Sequence, residues 1–378
     1  MYNNYNKYPI WRDVKESQWV DWKWQYDNCI QNIEDLAKVI KFSQEEIREM
    51  KVATSIYRMK ISPHICLRMA ENDDATKTLR KQFIPSYGEI NVDDRMYEDV
   101  NADSRYMPVK GLVHRYPTKV LVFPSNNCGS FCRYCFRRKY VGECDSSLPN
   151  FQRKEIIEYL NNHNEINEVI FSGGDPLTIS DEEINIWMSE LVTIPSVRIV
   201  RFHTRMPITI PYRITNGLIT LMSSYRKRFA IYFVIHIDTL NEISDEAFEG
   251  LENLINVGII CLASTPLLKD INDSKKSLGS LWQSLVEHRI KPYYLFQTDP
   301  VQGTTHFVVP LSKGIDIVRN LYDTISGIAM PLYCFNIPDG GGHVLISPST
   351  IKRITRSKYE ITNFEGKKYT YIDPAEGD

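Results

Sequence analysis

Three cysteines stand together in Cys128-Gly-Ser-Phe-Cys132-Arg-Tyr-Cys135-Phe-Arg-Arg138, separated by three and then two residues. Three thiols on one short loop can hold one inorganic centre. In a [4Fe–4S] cube they satisfy three irons and leave the fourth without a protein ligand, which suits reaction better than simple electron transfer. Zinc is the rival reading, with a distant His203 or His236 as fourth ligand. Zinc sites more often pair one two-residue knuckle with a second. Tyr134, just before the last cysteine, supplies an aromatic wall that would exclude water and help set a cluster's potential.

Other reactive residue types fall at comparable places. Ser172-Gly-Gly-Asp-Pro-Leu177, His203-Thr-Arg205, His236, Ser264-Thr265 and Asp299 each follow a short run rich in β-branched or aromatic residues. Gly173 and Gly174 remove side-chain obstruction, so backbone there can approach a ligand closely. With Asp175, their position beside the cysteine loop points to contact with a cofactor's amino group. Gly340-Gly-Gly342 is a weaker signal, a loop able to offer N–H groups to a phosphate or carboxylate.

The elements that must position these residues are strands near Lys119–Phe123, Glu168–Phe171, Arg198–Phe202, Ala230–His236, Ile259–Ala263 and Tyr293–Phe296. A seventh element is expected at Leu332–Phe335. Helical patterns separate them, one opened by the capping box Ser180-Asp-Glu-Glu183. The fold class is α/β: a partial parallel (β/α)6 barrel whose reactive residues sit at the C-terminal ends of strands. Residues 1–110 read as an N-terminal helical region, 111–300 as the barrel core, and 301–378 as a C-terminal region completing the site. Trp19, Trp22, Ile30, Ile33, Leu36 and Ile40 have helical spacing and read as core-facing. The polar segment Glu89–Asp103 reads as an ordered excursion or linker.

Lys and Arg total 45 against 47 for Asp and Glu, a net charge of -2, so no global field calls for nucleic acid or an anionic membrane. No apolar run approaches the roughly 18 residues of a membrane span, and no signal-peptide pattern opens the chain. A reduced, cytoplasmic chain acting on a small molecule is expected. Its five other cysteines, at 29, 66, 144, 261 and 334, read as inert thiols.

CGSFCRYCFRR together with SGGDPL resembles the radical S-adenosylmethionine (SAM) superfamily, and the resemblance narrows to the lysine 2,3-aminomutase family. Trp19–Gln25, Gly111–Pro117, Thr204–Pro207, Pro211–Thr215, Leu267–Asp273, Lys291–Tyr294, His306-Phe307 and Asn363–Gly366 extend it over nearly the whole chain. It implies a [4Fe–4S] cluster whose open iron is chelated by SAM. Reduction, by a protein such as flavodoxin or ferredoxin, then yields a 5′-deoxyadenosyl radical that abstracts hydrogen from an unactivated carbon. It further implies Gly173, Gly174 and Asp175 at the methionine amino group, with Tyr134, Arg205 and His236 around the rest of SAM.

The same resemblance implies pyridoxal phosphate (PLP) held by a lysine after a Gly-rich loop. Here that loop is Pro338-Asp-Gly-Gly-Gly-His343, and the lysine position is His343, which has no primary amine to form the internal Schiff base. Arg115 and Tyr116 match pocket positions, Lys119 replaces an arginine, Thr239-Leu240 replaces a His-Pro pair, and Ser264 replaces a glutamine. This reads as a former PLP pocket. Arg137 matches the arginine that clamps the substrate α-carboxylate. Of two carboxylates gripping the side-chain ammonium, Asp299 is present and the second is Asn336, which suits a cationic lysine- or arginine-like substrate. No intersubunit zinc is expected, Ser274 standing at the internal position, and a homo-oligomer stays open.

The reading favoured is a radical SAM enzyme that abstracts hydrogen from an amino acid or derivative without covalent PLP. Desaturation, epimerisation or deamination are among the outcomes. The alternatives are a PLP-dependent amino-acid 2,3-aminomutase and a non-enzymatic iron–sulfur or zinc protein.

Overall fold

The computed structural model describes residues 4–372 except 72, 92, 143–147, 323, 348–350 and 364–365, so Cys144 and parts of the Glu89–Asp103 and Asn363–Gly366 stretches lie outside the described residues. Nine strands form one sheet in chain order. They are β1 Leu112–Tyr116, β2 Lys119–Ser125, β3 Glu168–Gly173, β4 Ile199–Thr204, β5 Ala230–His236, β6 Ile260–Leu267, β7 Lys291–Gln297, β8 Leu332–Ile337 and β9 Gly342–Leu345.

Strands β2 to β8 are parallel, and β1 and β9 close the edges antiparallel. The expected seventh strand is therefore present as β8. The two edge strands escaped the sequence pattern because they are short and pair locally across turns. The sheet curls without pairing β1 to β9, an open half-barrel. The loop carrying Gly340-Gly-Gly342 is the hairpin turn between β8 and β9. Positive φ at Asp339 (58°), Gly340 (80°) and Gly342 (86°) accounts for its glycines.

Alternation decides which way each side chain faces. Val120, Val122, Val169, Phe171, Val200, Phe202, Ile231 and Phe233 pack outward into one large apolar core with the surrounding helices. Their neighbours, including Lys119, Arg201, His203, His236 and Ser264, face inward. The helices are begun by their own side chains. Ser180 and Glu183 form the expected reciprocal box, each bond 3.2 Å, and Ser274 accepts from the Ser277 N–H at the start of Lys275–Glu287.

Residues 5 to 84 build a second apolar cluster around Trp11, Trp19, Leu36, Met50, Ile65 and Phe83. Trp19, Ile30, Ile33, Leu36 and Ile40 are buried in it. They do not share one helical stripe as the spacing predicted: Trp19 ends the helix Glu16–Trp19, Ile33 and Leu36 lie on Ile33–Leu36, Ile30 bridges to Ile61, Ile40 is in a bend, and Trp22 packs on the barrel core instead. A separate antiparallel meander of residues 351–372 follows the barrel. Among the described residues, no helix is long and apolar enough to cross a membrane.

Candidate active site

The cysteine loop leaves the C-terminal end of β2 and is gripped from both sides. On the N-terminal side, Phe131 N–H donates to Lys60 O (2.8 Å), Arg133 N–H to Gln82 O (2.8 Å), and Cys29 Sγ to Gly129 O (3.2 Å). Ser130 Oγ accepts from Ser62 N–H at 3.0 Å. On the barrel side, Gly174 N–H donates to Ser125 O (2.9 Å) and Asp175 N–H to Asn127 O (2.6 Å). A Cβ on Gly174 would sit 2.3 Å from Asn127 O, and one on Gly173 2.6 Å from Ser125 O. The two glycines are thus required by the chain leading into the cysteines, whatever ligand they also meet.

Cys128, Cys132 and Cys135 are each half-buried and free of disulfides. Burial raises the proton affinity of all three, and neighbouring thiols of the set raise Cys128 and Cys135 further. They therefore share one region. Among the described residues, no three His, Cys, Asp or Glu side chains converge on one ion-sized point. The donor set is three thiols on one loop with no histidine bonded to them among the described residues, which suits a cluster held by three cysteines. The loop fits the cluster.

Asp175 is buried, and each of its oxygens takes two bonds. Oδ1 accepts from Leu177 N–H (3.0 Å) and Thr204 Oγ1 (2.7 Å), and Oδ2 from Arg205 N–H (2.6 Å) and Met206 N–H (3.1 Å). Its carboxylate ties the loop after β3 to the loop after β4. Burial pushes the carboxyl up and these four donors pull it back. Tyr134 sits in a small apolar cluster with Leu268, Ile271 and Phe307 beside Cys132, forming the water-excluding wall. Its hydroxyl lies 3.0 Å from His236 Nε2 and donates to Asp238.

The substrate-type residues form a second group. Arg137 holds Asp103 through Nε and Nη2, both 3.0 Å from Oδ2, and Asp103 Oδ1 lies 3.5 Å from Arg115. One carboxylate thus spans the two arginines expected at the substrate α-carboxylate and in the PLP pocket. Asp299 Oδ1 accepts from Asn336 Nδ2 at 2.9 Å. Burial pushes the Asp299 carboxyl up to about 6, against the pull of Asn336 and Arg137. Asn336 Oδ1 is buried and accepts no hydrogen bond among the described residues. An ionised carboxylate beside an unused amide oxygen is an acceptor pair for an incoming cation.

On the edge strand β9, the solvent-exposed His343 stands with its ring edge-on to Tyr116, Tyr294 and Phe296, with centroids 6.1, 6.2 and 5.3 Å away. Its backbone N–H donates to Tyr116 Oη at 3.1 Å. Partial desolvation, followed by the charges of Lys119, Arg115 and Arg201, pushes its pKa down to about 4. Lys119 lies 4.4 Å over the Tyr116 ring, and Ser264 sits inward on β6, paired with Tyr294 on β7. A PLP anchored through this wall does not fit: the β9 position carries imidazole, and Arg115 is already engaged by Asp103 and Asn101 O.

Several residues of the site were not expected. Glu89 (0% exposed) lies between Arg133 (2%) and Arg138, bonding Arg133 Nε at 3.0 Å and Nη2 at 2.6 Å. Glu89 and Asp103 both belong to the segment read as a linker. Arg201 on β4 pairs with Glu168 on β3, and Asp238, Glu242 and Gln82 surround Arg205. The pairing of Arg201 with Glu168 was the legible one, since both are charged residues in otherwise apolar strands.

The profile described as "Radical SAM superfamily" matches residues 122–278. L-lysine 2,3-aminomutase from Clostridium subterminale is 34% identical over 373 residues, spanning 97% of this chain and 88% of the relative. L-lysine 2,3-aminomutase from Bacillus subtilis (strain 168) is 32% identical over 98% of this chain and 78% of its own length. Glutamate 2,3-aminomutase from Clostridioides difficile (strain 630) is 32% identical over 93% and 82%, respectively.

Proposed function

From the premise that this chain belongs to the lysine 2,3-aminomutase family of radical SAM enzymes, we propose that it abstracts hydrogen from an amino acid or derivative with a cationic side chain, without covalently bound PLP. The observation that carries this reading is His343, an imidazole inside the aromatic wall on β9 where the resemblance calls for the anchoring lysine. Cys128, Cys132 and Cys135 would hold the cluster, and Tyr134, Gly173, Gly174, Asp175 and His236 would border SAM. Together the cluster and SAM supply a carbon-centred radical strong enough to take hydrogen from an unactivated carbon.

The remaining work belongs to the chain. Arg137 receives the substrate carboxylate, its orientation set by Asp103. Asp299 and Asn336 Oδ1 receive the side-chain cation and so fix which carbon faces the radical source. His343, with its pKa pushed down to about 4, is neutral at pH 7 and adds no charge to the wall. The Tyr134–Phe307 wall excludes water from the reacting region. Electrons would come from a flavodoxin- or ferredoxin-type protein.

The test is incubation of reduced, iron-loaded protein and SAM with deuterated amino acids, reading label in 5′-deoxyadenosine. Label from lysine, arginine or a derivative is expected. Failure of every cationic amino acid to transfer label, alongside transfer from glutamate, would overturn the substrate class. A 2,3-migrated amine formed only with added PLP would establish the aminomutase alternative.

A further inference from the structure

We propose that Arg205 is a positioning residue for Cys132, set to raise the reduction potential of the cluster, and that it is not a ligand of SAM. The inference rests on the radical SAM reading above. Arg205 follows β4, and its backbone is fixed by the Asp175 carboxylate, which accepts from both Arg205 N–H and Met206 N–H. Its guanidinium lies over the Phe83 ring at 4.7 Å and is 7% exposed. Nη2 is taken by Gln82 Oε1, by Glu242 Oε2 at 2.7 Å and by Asp238 Oδ2 at 3.2 Å. Nη1 reaches Cys132 Sγ at 2.7 Å and the Tyr134 hydroxyl.

A guanidinium is a rigid planar fork. With both Nη atoms held from the N-terminal region and the barrel, it cannot turn to a carboxylate of SAM without taking its charge away from Asp238 and Glu242. Both are 0% exposed, so losing their shared cation is strongly unfavourable. The same restraint explains why two carboxylates are buried beside the cysteine loop. They hold Arg205 in register with one sulfur. His236 Nε2, 2.9 Å from Asp238 Oδ1, and Tyr134, donating to Asp238, complete the frame.

Hydrogen bonds and positive charge at a cluster sulfur favour the reduced, more negative cluster. Arg205 supplies both to Cys132. An electron added to the cluster is thereby stabilised at one defined ligand, on the Tyr134 side of the loop.

The experiment is an EPR-monitored redox titration of reconstituted wild type, Arg205→Gln and Arg205→Lys, with SAM affinity measured in parallel by equilibrium binding. Arg205→Gln should shift the reduction equilibrium about tenfold toward the oxidised cluster, a fall of about 59 mV for one electron. Arg205→Lys keeps the charge but is drawn to the carboxylates, and should fall by less. SAM affinity should stay within about twofold. Should Arg205→Gln fail to fold, the lysine variant decides alone. An unchanged midpoint in an assembled cluster, or a tenfold loss of SAM affinity with the midpoint unmoved, overturns the proposal. Wild-type protein that takes up no iron would remove the radical SAM reading itself.

Discussion

Asp299→Asn should stabilise the free protein at neutral pH while weakening its hold on a cationic substrate. Burial raises the Asp299 carboxyl from its ordinary 3.8 to about 6. That difference of about 2 units is worth about 3 kcal/mol between protonation states. The native state binds this proton more tightly than the unfolded chain. The contribution to stability is therefore full below about pH 4, falls as pH rises, and is lost above about 6. At pH 7 the free protein bears the whole penalty of an ionised, buried carboxylate. An amide of the same shape still accepts from Asn336 Nδ2 and carries no charge to desolvate. With about 2.1 cal/mol/K of unfolding entropy per residue over 378 residues, 3 kcal/mol raises Tm by about 4 °C. Calorimetry of both proteins at pH 7 and pH 4 measures it, and the gain should vanish at the lower pH. In the same samples, lysine or arginine should stabilise wild type at pH 7 and leave the variant nearly unmoved. A variant less stable than wild type at pH 7, or a difference independent of pH, would refute the reasoning.

Two further substitutions probe the frame and the PLP wall. Glu89→Ala leaves Arg133 and Arg138 buried without their shared carboxylate and should cost about 3–5 kcal/mol, read by urea unfolding. A loss under about 1 kcal/mol would show the two arginines find other partners. His343→Lys returns a primary amine to β9, and added PLP should then give an absorbance band that borohydride traps at residue 343. Trapping in wild type at any lysine would contradict the account of His343.

The strands were legible because the parallel ones send β-branched or aromatic residues at alternate positions into the outer core, as in Val120 and Val122 or Ile231, Phe233 and Ile235. The loops that follow them carried the cysteines, Asp175 and Asp299 to one end for the same reason. Glu89 and Asp103 were not legible. An isolated carboxylate on irregular chain has no period and no fixed partner spacing, and its arginines lie 44 and 34 residues further on. Arg205 was legible as a residue of the site, but its partners come from two distant segments, Gln82 before the barrel and Asp238 and Glu242 after β5. β9 was hidden because glycine and histidine open it, so its strand character is created by pairing with β8.

Cys132 packs against both the N-terminal apolar cluster and the small cluster around Tyr134. The cysteine loop therefore acts as a seam, stitched on one edge by Lys60, Ser62 and Gln82 and on the other by the turn after β3. Loosening either edge would let the three thiols drift apart, so mutations along residues 29–89 that break these bonds would weaken the hold on an iron–sulfur centre without touching a ligand.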